Sequence, residues 1–299
     1  MSRPLLKAAL RELGSPPFAD APIPNLLHMT ARSKVLPEDV RNNLQQIQAH
    51  NPEWEIMIYD DQDIESFIVQ HFGTHVLTIY RMINTRYGAA RADLFRYLCL
   101  YRLGGLYLDL KSTTTMPLNQ WIGPSDRFIL SHWDNGPQGK YPDWGLSEDL
   151  KHLPNGEYQQ WFIAASAGHP YLRAVCERVL RNIVSYRAVP ARFGREGVLQ
   201  VTGPIAYTLA IDSIRHRHPH RFVDVEKDGG LLYSIYTVIE GHFQLSETHY
   251  SALTEPIVRL SRLSSRLFDA SKVWQRQWKE IKKEVIPKLV KLRRILRGH

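Results

Sequence analysis

The sequence predicts an α/β fold. Short apolar runs alternate with stretches of helical periodicity, a glycine pair separates a long helical pattern from a strand, and the composition provides a substantial core. Of 299 residues, 43% are hydrophobic and 23% charged, the balance of a soluble globular chain. That length suits one large α/β domain or two ordinary ones. Residues 5–13 form a short amphipathic helix pattern stopped by Gly14, and a proline-rich linker follows with Pro16, Pro17, Pro22 and Pro24. Residues 25–30 are a first buried strand. Pro37 opens a helix through about His50, with Leu44 and Ile47 on its inner face. Residues 55–60 are a second strand, and Asp61 or Gln62 starts the next helix. This strand–helix–strand–helix order argues for a parallel sheet.

The most informative stretch comes next. Residues 89–103 carry Leu94, Leu98, Cys99 and Arg102 at helical spacing, and Gly104-Gly105 stops that helix because glycine readily supplies the left-handed conformation. Residues 106–108 are a short strand with Asp109 at its carboxyl end, where ligands bind in open α/β sheets. Residues 127–133 predict another strand, and 170–183 and 204–216 predict helices on a second lobe. No internal repeat is visible.

Charge and cysteine content exclude several classes. Cys99 and Cys176 are too few for a disulfide framework or a cysteine-rich zinc site, and each lies in an apolar helical context expected to bury a free thiol. A reducing compartment fits. The net charge of +8 is not spread evenly: residues 261–299 hold 12 Lys/Arg against 3 Asp/Glu, and the remainder carries a net −1. The usual argument from a basic chain to nucleic acid therefore applies only to the tail, and no nucleic-acid partner is expected. No run reaches the roughly 18 apolar residues of a membrane span. Arg3, Lys7, Arg11 and Glu12 interrupt the first apolar residues, so no secretory h-region is expected there. The expectation is a cytoplasmic protein, peripheral on the inner face of a membrane.

Three residues draw attention on chemistry alone. Asp93 and Arg96 are three apart and share a helix face, a spacing equally consistent with a plain surface ion pair. Asp109, at a strand end, is placed to coordinate a divalent cation or to accept hydrogen bonds from sugar hydroxyls.

The run Ala90-Arg91-Ala92-Asp93-Leu94-Phe95-Arg96-Tyr97, then Leu100-Tyr101-Arg102-Leu103-Gly104-Gly105-Leu106-Tyr107-Leu108-Asp109, resembles the core motif of the DXD-containing sugar-nucleotide glycosyltransferases. It is most similar to glycosyltransferase family 32, the fungal Golgi α-mannosyltransferases and bacterial capsular polysaccharide transferases, with the clostridial glucosylating toxins more distant. Ile23-Pro24-Asn25-Leu26-Leu27-His28-Met29-Thr30 resembles the family's first strand, and Asn51-Pro52-Glu53-Trp54-Glu55 with Tyr59-Asp60-Asp61 its second. Ala167-Gly168-His169-Pro170 and Thr202-Gly203-Pro204 also fit, so the resemblance runs from about residue 23 to 257 in ordered motifs.

The resemblance implies a GT-A fold, Rossmann-like, binding a nucleotide-diphosphate sugar. Its organisation would be an N-terminal helix and linker (1–22), a glycosyltransferase domain (23–260) and a basic tail (261–299). Asp93 would contact the ribose or donor sugar, and Arg96 the donor sugar or diphosphate. Asp109, first carboxylate of the DXD, would sit by the ribose and sugar hydroxyls and hold any metal. Tyr107 belongs to the same donor-binding motif, and His28 and Thr30 lie where the first strand meets the nucleotide. His249, with Tyr250, resembles the C-terminal loop over the diphosphate.

Two departures matter. Ala31 replaces the tryptophan after the first-strand threonine, removing a stacking surface for the base. Lys111 stands at the second DXD carboxylate, usually the direct metal ligand. Three readings of Lys111 stay open. Its ammonium partly replaces Mn2+ or Mg2+ in stabilising the leaving diphosphate; or Asp109 with Glu247 and His249 still holds a metal, with Lys111 on phosphate; or catalysis is lost. A haloacid-dehalogenase-type phosphatase needs a carboxylate at position 111, and the lysine argues against it.

Weaker candidates remain. Asp134 is a candidate catalytic carboxylate, and Trp133 and Trp144 suit either an acceptor pocket or core packing. Tyr207 and Tyr233 are expected in the core. His216, His218 and His220 alternate, but flanking arginines oppose a dication, and a solvated loop is the expectation. In the tail, Trp274, Trp278, Ile281, Val285, Leu289, Leu292 and Leu296 draw one helical stripe among lysines and arginines, interrupted at Pro287. That pattern suits an interfacial membrane helix or packing on the protein itself. The resemblance thus implies a retaining hexosyltransferase acting from a UDP- or GDP-sugar on a glycan or lipid-linked acceptor. The alternative is a non-catalytic nucleotide-sugar or carbohydrate binding protein on the same fold.

Overall fold

A computed structural model describes residues 2–14, 20–189, 193–236 and 250–259. The tail from residue 260 and His249 lie outside the described residues. Residues 1–258 form one compact unit.

The elements follow the hydrophobic pattern closely at first. The strands are β1 (Leu26–Thr30), β2 (Glu55–Tyr59) and β3 (Gly105–Leu108). The helices are α1 (Ser2–Leu13), α2 (Glu38–His50), α3 (Asp61–Phe72), α4 (Thr74–Met82) and α5 (Gly88–Leu103). Asp60 caps α3: its side chain accepts from the amides of Gln62 and Asp63, while Asp63 accepts in return from the Asp60 amide. Helix α4 has no cap of its own. Its free amides at His75 and Val76 donate to the Glu12 carboxylate of α1, a favourable place for negative charge.

Later elements depart from the sequence expectation. The strand expected over 127–133 is only β5 (Phe128–Leu130). The helix expected to reach residue 216 is α8 (Pro204–Asp212), with a separate 3-10 turn at Arg215–Arg217. Helix α6 (Pro170–Val184) matches its pattern, and α7 (Gly194–Val201) precedes the Gly203-Pro204 start of α8. Two-residue strands β4 (Thr113–Thr114) and β8 (Leu231–Leu232) pair with each other.

The main sheet has the order β2-β1-β3-β6-β5-β7, where β6 is Phe162–Ala165 and β7 is Arg221–Phe222. β1 is parallel to β2 and β3, but β6 runs antiparallel between β3 and β5. The sheet is therefore mixed rather than wholly parallel. All four residues of β6 are buried, so the strand has no polar alternation to mark it in the sequence.

Strand alternation sorts the chemistry. Leu27, Met29, Leu106 and Leu108 enter one core cluster with Ile47 of α2. Tyr107 points to the opposite face, where α5 and α6 form the second cluster with Phe95, Leu98 and Val175. Thr30 shares the parity of His28, and Asp109 that of Tyr107. Both expected thiols, Cys99 and Cys176, are free and buried in this second cluster.

Candidate active site

Where β3 ends, α5 and the loop after β1 enclose a cavity of about 340 Å3. Its lining includes Thr30, Arg96, Tyr107, Asp109 and Lys111. Five of the lining side chains are basic (Arg32, Arg86, Arg91, Arg96, Lys111) and two are acidic (Asp61, Asp109). A concave site of this net sign concentrates anions.

The glycine pair sets the geometry. Gly104 ends α5 at φ +70°, and Gly105 follows at φ +104°, conformations that L side chains rarely adopt. A Cβ on Gly104 would lie 2.6 Å from the Ala167 nitrogen, and one on Gly105 would run into the Leu26 carbonyl oxygen. The chain can therefore reverse from α5 into β3 while pressed against β1, which brings Arg96 over the end of the strand.

Asp93 and Arg96 are not a surface pair. Both side chains are 6% exposed, with Arg96 Nη2 3.4 Å from Asp93 Oδ1 and 3.1 Å from Asp109 Oδ1. Arg96 Nη1 donates to the Gln160 carbonyl at 2.7 Å, and the guanidinium lies 4.4 Å from the Tyr107 ring centroid. Asp93 accepts from Gln160 Nε2 at 2.9 Å and from the Thr202 hydroxyl at 2.8 Å. Burial pushes the Asp93 carboxyl up, against the Arg96 charge and both hydrogen bonds. Burial also opposes the charge on Arg96, but Tyr107, Asp109 and Asp93 outweigh it and hold its pKa above the usual arginine value. Asp93 is thus an anchor beneath the cavity, and Arg96 and Asp109 are the groups presented to it.

The remaining sequence candidates divide. Thr30 and Tyr107 join at the cavity wall through a 2.8 Å hydrogen bond between their hydroxyls. His28 does not reach the cavity. It is fully buried and pins the glycine turn. Its Nε2 lies 3.0 Å from the Gly104 carbonyl, which can only accept, so Nε2 carries the proton and Nδ1 accepts from Tyr59 OH at 3.1 Å. Burial lowers its pKa to about 4, so the imidazole is neutral. Asp134 is likewise not among the cavity residues. It is exposed, accepts from the Lys140 amide at 2.9 Å, and shapes a tight loop against Gly139.

Lys111 lines the cavity with its ammonium 3.9 Å from the Tyr233 ring centroid. Tyr233 is half-buried and packs against the core cluster that holds Leu27 and Leu106, as expected, while its ring also faces the Lys111 ammonium. It also meets Trp133, Trp144 and Trp161 edge-on. Trp133 donates to Glu157 Oε1 at 2.9 Å, and burial raises the Glu157 carboxyl to about 7.

Sequence reasoning missed Gln160, Glu157, Arg86 and the cavity role of Arg91. Arg91 had a signal, since it stands in the same motif two residues before Asp93. Gln160 and Glu157 had none.

The described residues do not fit a divalent cation. Asp109 is a lone carboxylate already paired with Arg96, and Lys111 brings a like charge to the same place. No group of three His, Cys, Asp or Glu side chains among the described residues could hold a metal. Glu247 and His249 lie outside them.

Comparisons with known proteins point to one family. Residues 37–128 match the glycosyltransferase sugar-binding region containing the DXD motif, a span that holds Asp93, Arg96, Tyr107, Asp109 and Lys111. The chain is 25% identical over 200 residues to an initiation-specific alpha-1,6-mannosyltransferase of Schizosaccharomyces pombe, covering 64% of this chain and 48% of the relative. It is 26% identical over 189 residues to inositol phosphoceramide mannosyltransferase 3 of the same yeast, covering 63% and 45%. The chain thus spans about half the length of these curated relatives. Among solved structures, the PaToxG glycosyltransferase has a TM-score of 0.45 at 16% identity, covering 72% of this chain and 79% of that one. The ligand-free glycosyltransferase domain of the YGT toxin has a TM-score of 0.45 at 9% identity, covering 68% and 80%. Over residues 37–128 the chain is thus similar to the DXD-type glycosyltransferase sugar-binding region, and over about two thirds of its length to fungal mannosyltransferases.

Proposed function

We propose that the protein is a retaining glycosyltransferase that moves a hexose from a UDP- or GDP-sugar to a glycan or lipid-linked acceptor. The observation that carries this reading is the Arg96–Asp109 pair at the end of β3, held from below by Asp93 and opening on a cationic cavity. The names of the relatives favour mannose as the sugar. In the reaction, Asp109 accepts hydrogen bonds from donor hydroxyls, and the cavity's basic groups bind the diphosphate as it gains negative charge. The one carboxylate at the end of β3, Asp109, is already engaged by Arg96. Front-face displacement, with the departing phosphate taking the acceptor proton, then fits retention, and positioning supplies most of the rate.

Donor hydrolysis over a panel of UDP- and GDP-sugars tests the proposal. One donor is expected to release nucleotide slowly, with Asp109→Ala reducing release by about 100-fold or more. Lys111 in place of a carboxylate favours the second reading, a non-catalytic binding protein. Tight binding of one nucleotide-sugar with no turnover in the presence of glycan acceptors would select it.

The relatives whose names include inositol phosphoceramide motivate a lipid-linked acceptor met at a membrane surface. No helix among the described residues is long and apolar enough to cross a membrane.

A further inference from the structure

We infer that the Lys111 ammonium is the cation that receives the leaving diphosphate, so that donor binding and turnover proceed without a divalent metal. This inference rests on the glycosyltransferase reading and assigns the electrostatic work within that same site.

Four observations converge on it. The Lys111 ammonium sits at the cavity wall, 3.9 Å from the face of Tyr233, which fixes its position without neutralising it. Among the described residues no carboxylate forms an ion pair with it. Asp109, its nearest charged complement in the motif, is already bound to Arg96 at 3.1 Å. The other cavity carboxylate, Asp61, faces Arg91 at 3.4 Å. Both acidic groups already face a guanidinium, and a dication entering here would meet the positive charges of Arg96 and Lys111 at the same place. A diphosphate meets the reverse situation. It finds an unpaired ammonium with three donors, beside the Arg96 guanidinium that also lines the cavity.

The step balances without further components. The bond from the sugar anomeric carbon to the β-phosphate oxygen breaks and its electron pair stays on that oxygen. The acceptor hydroxyl oxygen bonds to the anomeric carbon, and its proton passes to the departing phosphate. Lys111 remains an ammonium throughout and lowers the energy of the charge that accumulates beside it.

Calorimetric titration of the full chain with UDP and with GDP, in EDTA and again in Mn2+, tests this directly. One nucleotide is expected to bind in EDTA with a Kd close to its value in Mn2+. Lys111→Met should weaken that binding by about 10–100-fold in either buffer, and Lys111→Arg should recover most of it. Electron paramagnetic resonance should show no Mn2+ immobilised by the protein with or without nucleotide. Binding that appears only with Mn2+, or an unchanged affinity in Lys111→Met, overturns the inference while leaving the glycosyltransferase reading intact. No binding of either nucleotide in either buffer overturns both. The wild-type comparison stands by itself should the methionine variant fail to fold.

Discussion

Arg96 shows how one side chain serves stability and chemistry together. Its guanidinium compensates Asp93 inside the protein and Asp109 at the cavity. Arg96→Ala would leave Asp93 buried without its cation, a change expected to cost about 3–5 kcal/mol. Asp93→Asn keeps partners for Gln160 and Thr202 and leaves Arg96 paired with Asp109, so about 1–2 kcal/mol is expected. Urea unfolding of the two variants checks the order. Sequence spacing gave the Asp93–Arg96 pair but not its burial, because an i,i+3 pair looks the same on a wet face and in a packed interior. Glu157 offers a second residue-scale test. Burial raises its carboxyl to about 7 in the folded protein from an ordinary value of 4.5. The folded state therefore holds a proton that the unfolded chain has released. Stability should fall as pH rises between those two values, by up to about 1.4 kcal/mol per pH unit, and level off above them. Glu157→Gln keeps an acceptor for Trp133 and should flatten this part of the urea-derived stability profile; an unchanged slope would contradict the assignment.

At the scale of elements, the α5–β3 reversal decides whether the site exists. Gly105→Ala combines a φ of +104° with a Cβ driven into the Leu26 carbonyl. A loss on the order of 3 kcal/mol is expected, with nucleotide binding falling too, as β3 is pushed from β1. Gly88, at the start of α5, has open space around its missing Cβ and no positive φ. Gly88→Ala should instead raise stability by about 0.4–1 kcal/mol, and thermal unfolding of the pair separates the two kinds of glycine. This reversal was legible because Gly-Gly after an apolar helix has few other uses. The first half of the sheet was legible for a similar reason, since β1 and β2 are apolar runs bounded by Pro24, Pro37 and the Asp60 cap. β6 was not. A strand buried on both faces has no period-two signature, and its antiparallel direction depends on where the intervening chain returns. The short β5 shows the same limit: apolar residues near 133 enter an aromatic cluster with Tyr141 and Trp144 instead of extending the ladder. His28 stays out of the cavity lining for a related reason. Its position on the strand was right, but its imidazole is spent on the Gly104 carbonyl.

Across the whole molecule, charge is segregated more sharply than the net +8 suggests. Residues 261–299 carry more than the whole excess, while the other residues are close to neutral, at a net −1, and collect basic groups at the cavity. These two cationic regions make different demands on a partner. The cavity, with five basic lining side chains in about 340 Å3, suits a small anion, whereas a surplus of nine positive charges within 39 residues favours any extended anionic surface. With Trp274 and Trp278 in register with five aliphatic residues, the tail's composition suits a membrane surface of anionic lipid. Each basic residue near such a surface contributes about 1 kcal/mol, screened within a Debye length of about 10 Å at 0.1 M salt. The full chain should therefore sediment with vesicles containing phosphatidylserine at low salt, release as salt rises, and ignore purely zwitterionic vesicles. A chain ending at Val258, the limit of the compact unit, should lose vesicle binding while keeping its affinity for the nucleotide. Equal sedimentation of both chains would place the membrane contact elsewhere. Loss of nucleotide binding along with the tail would instead make those residues part of the donor site, which charge segregation alone does not predict.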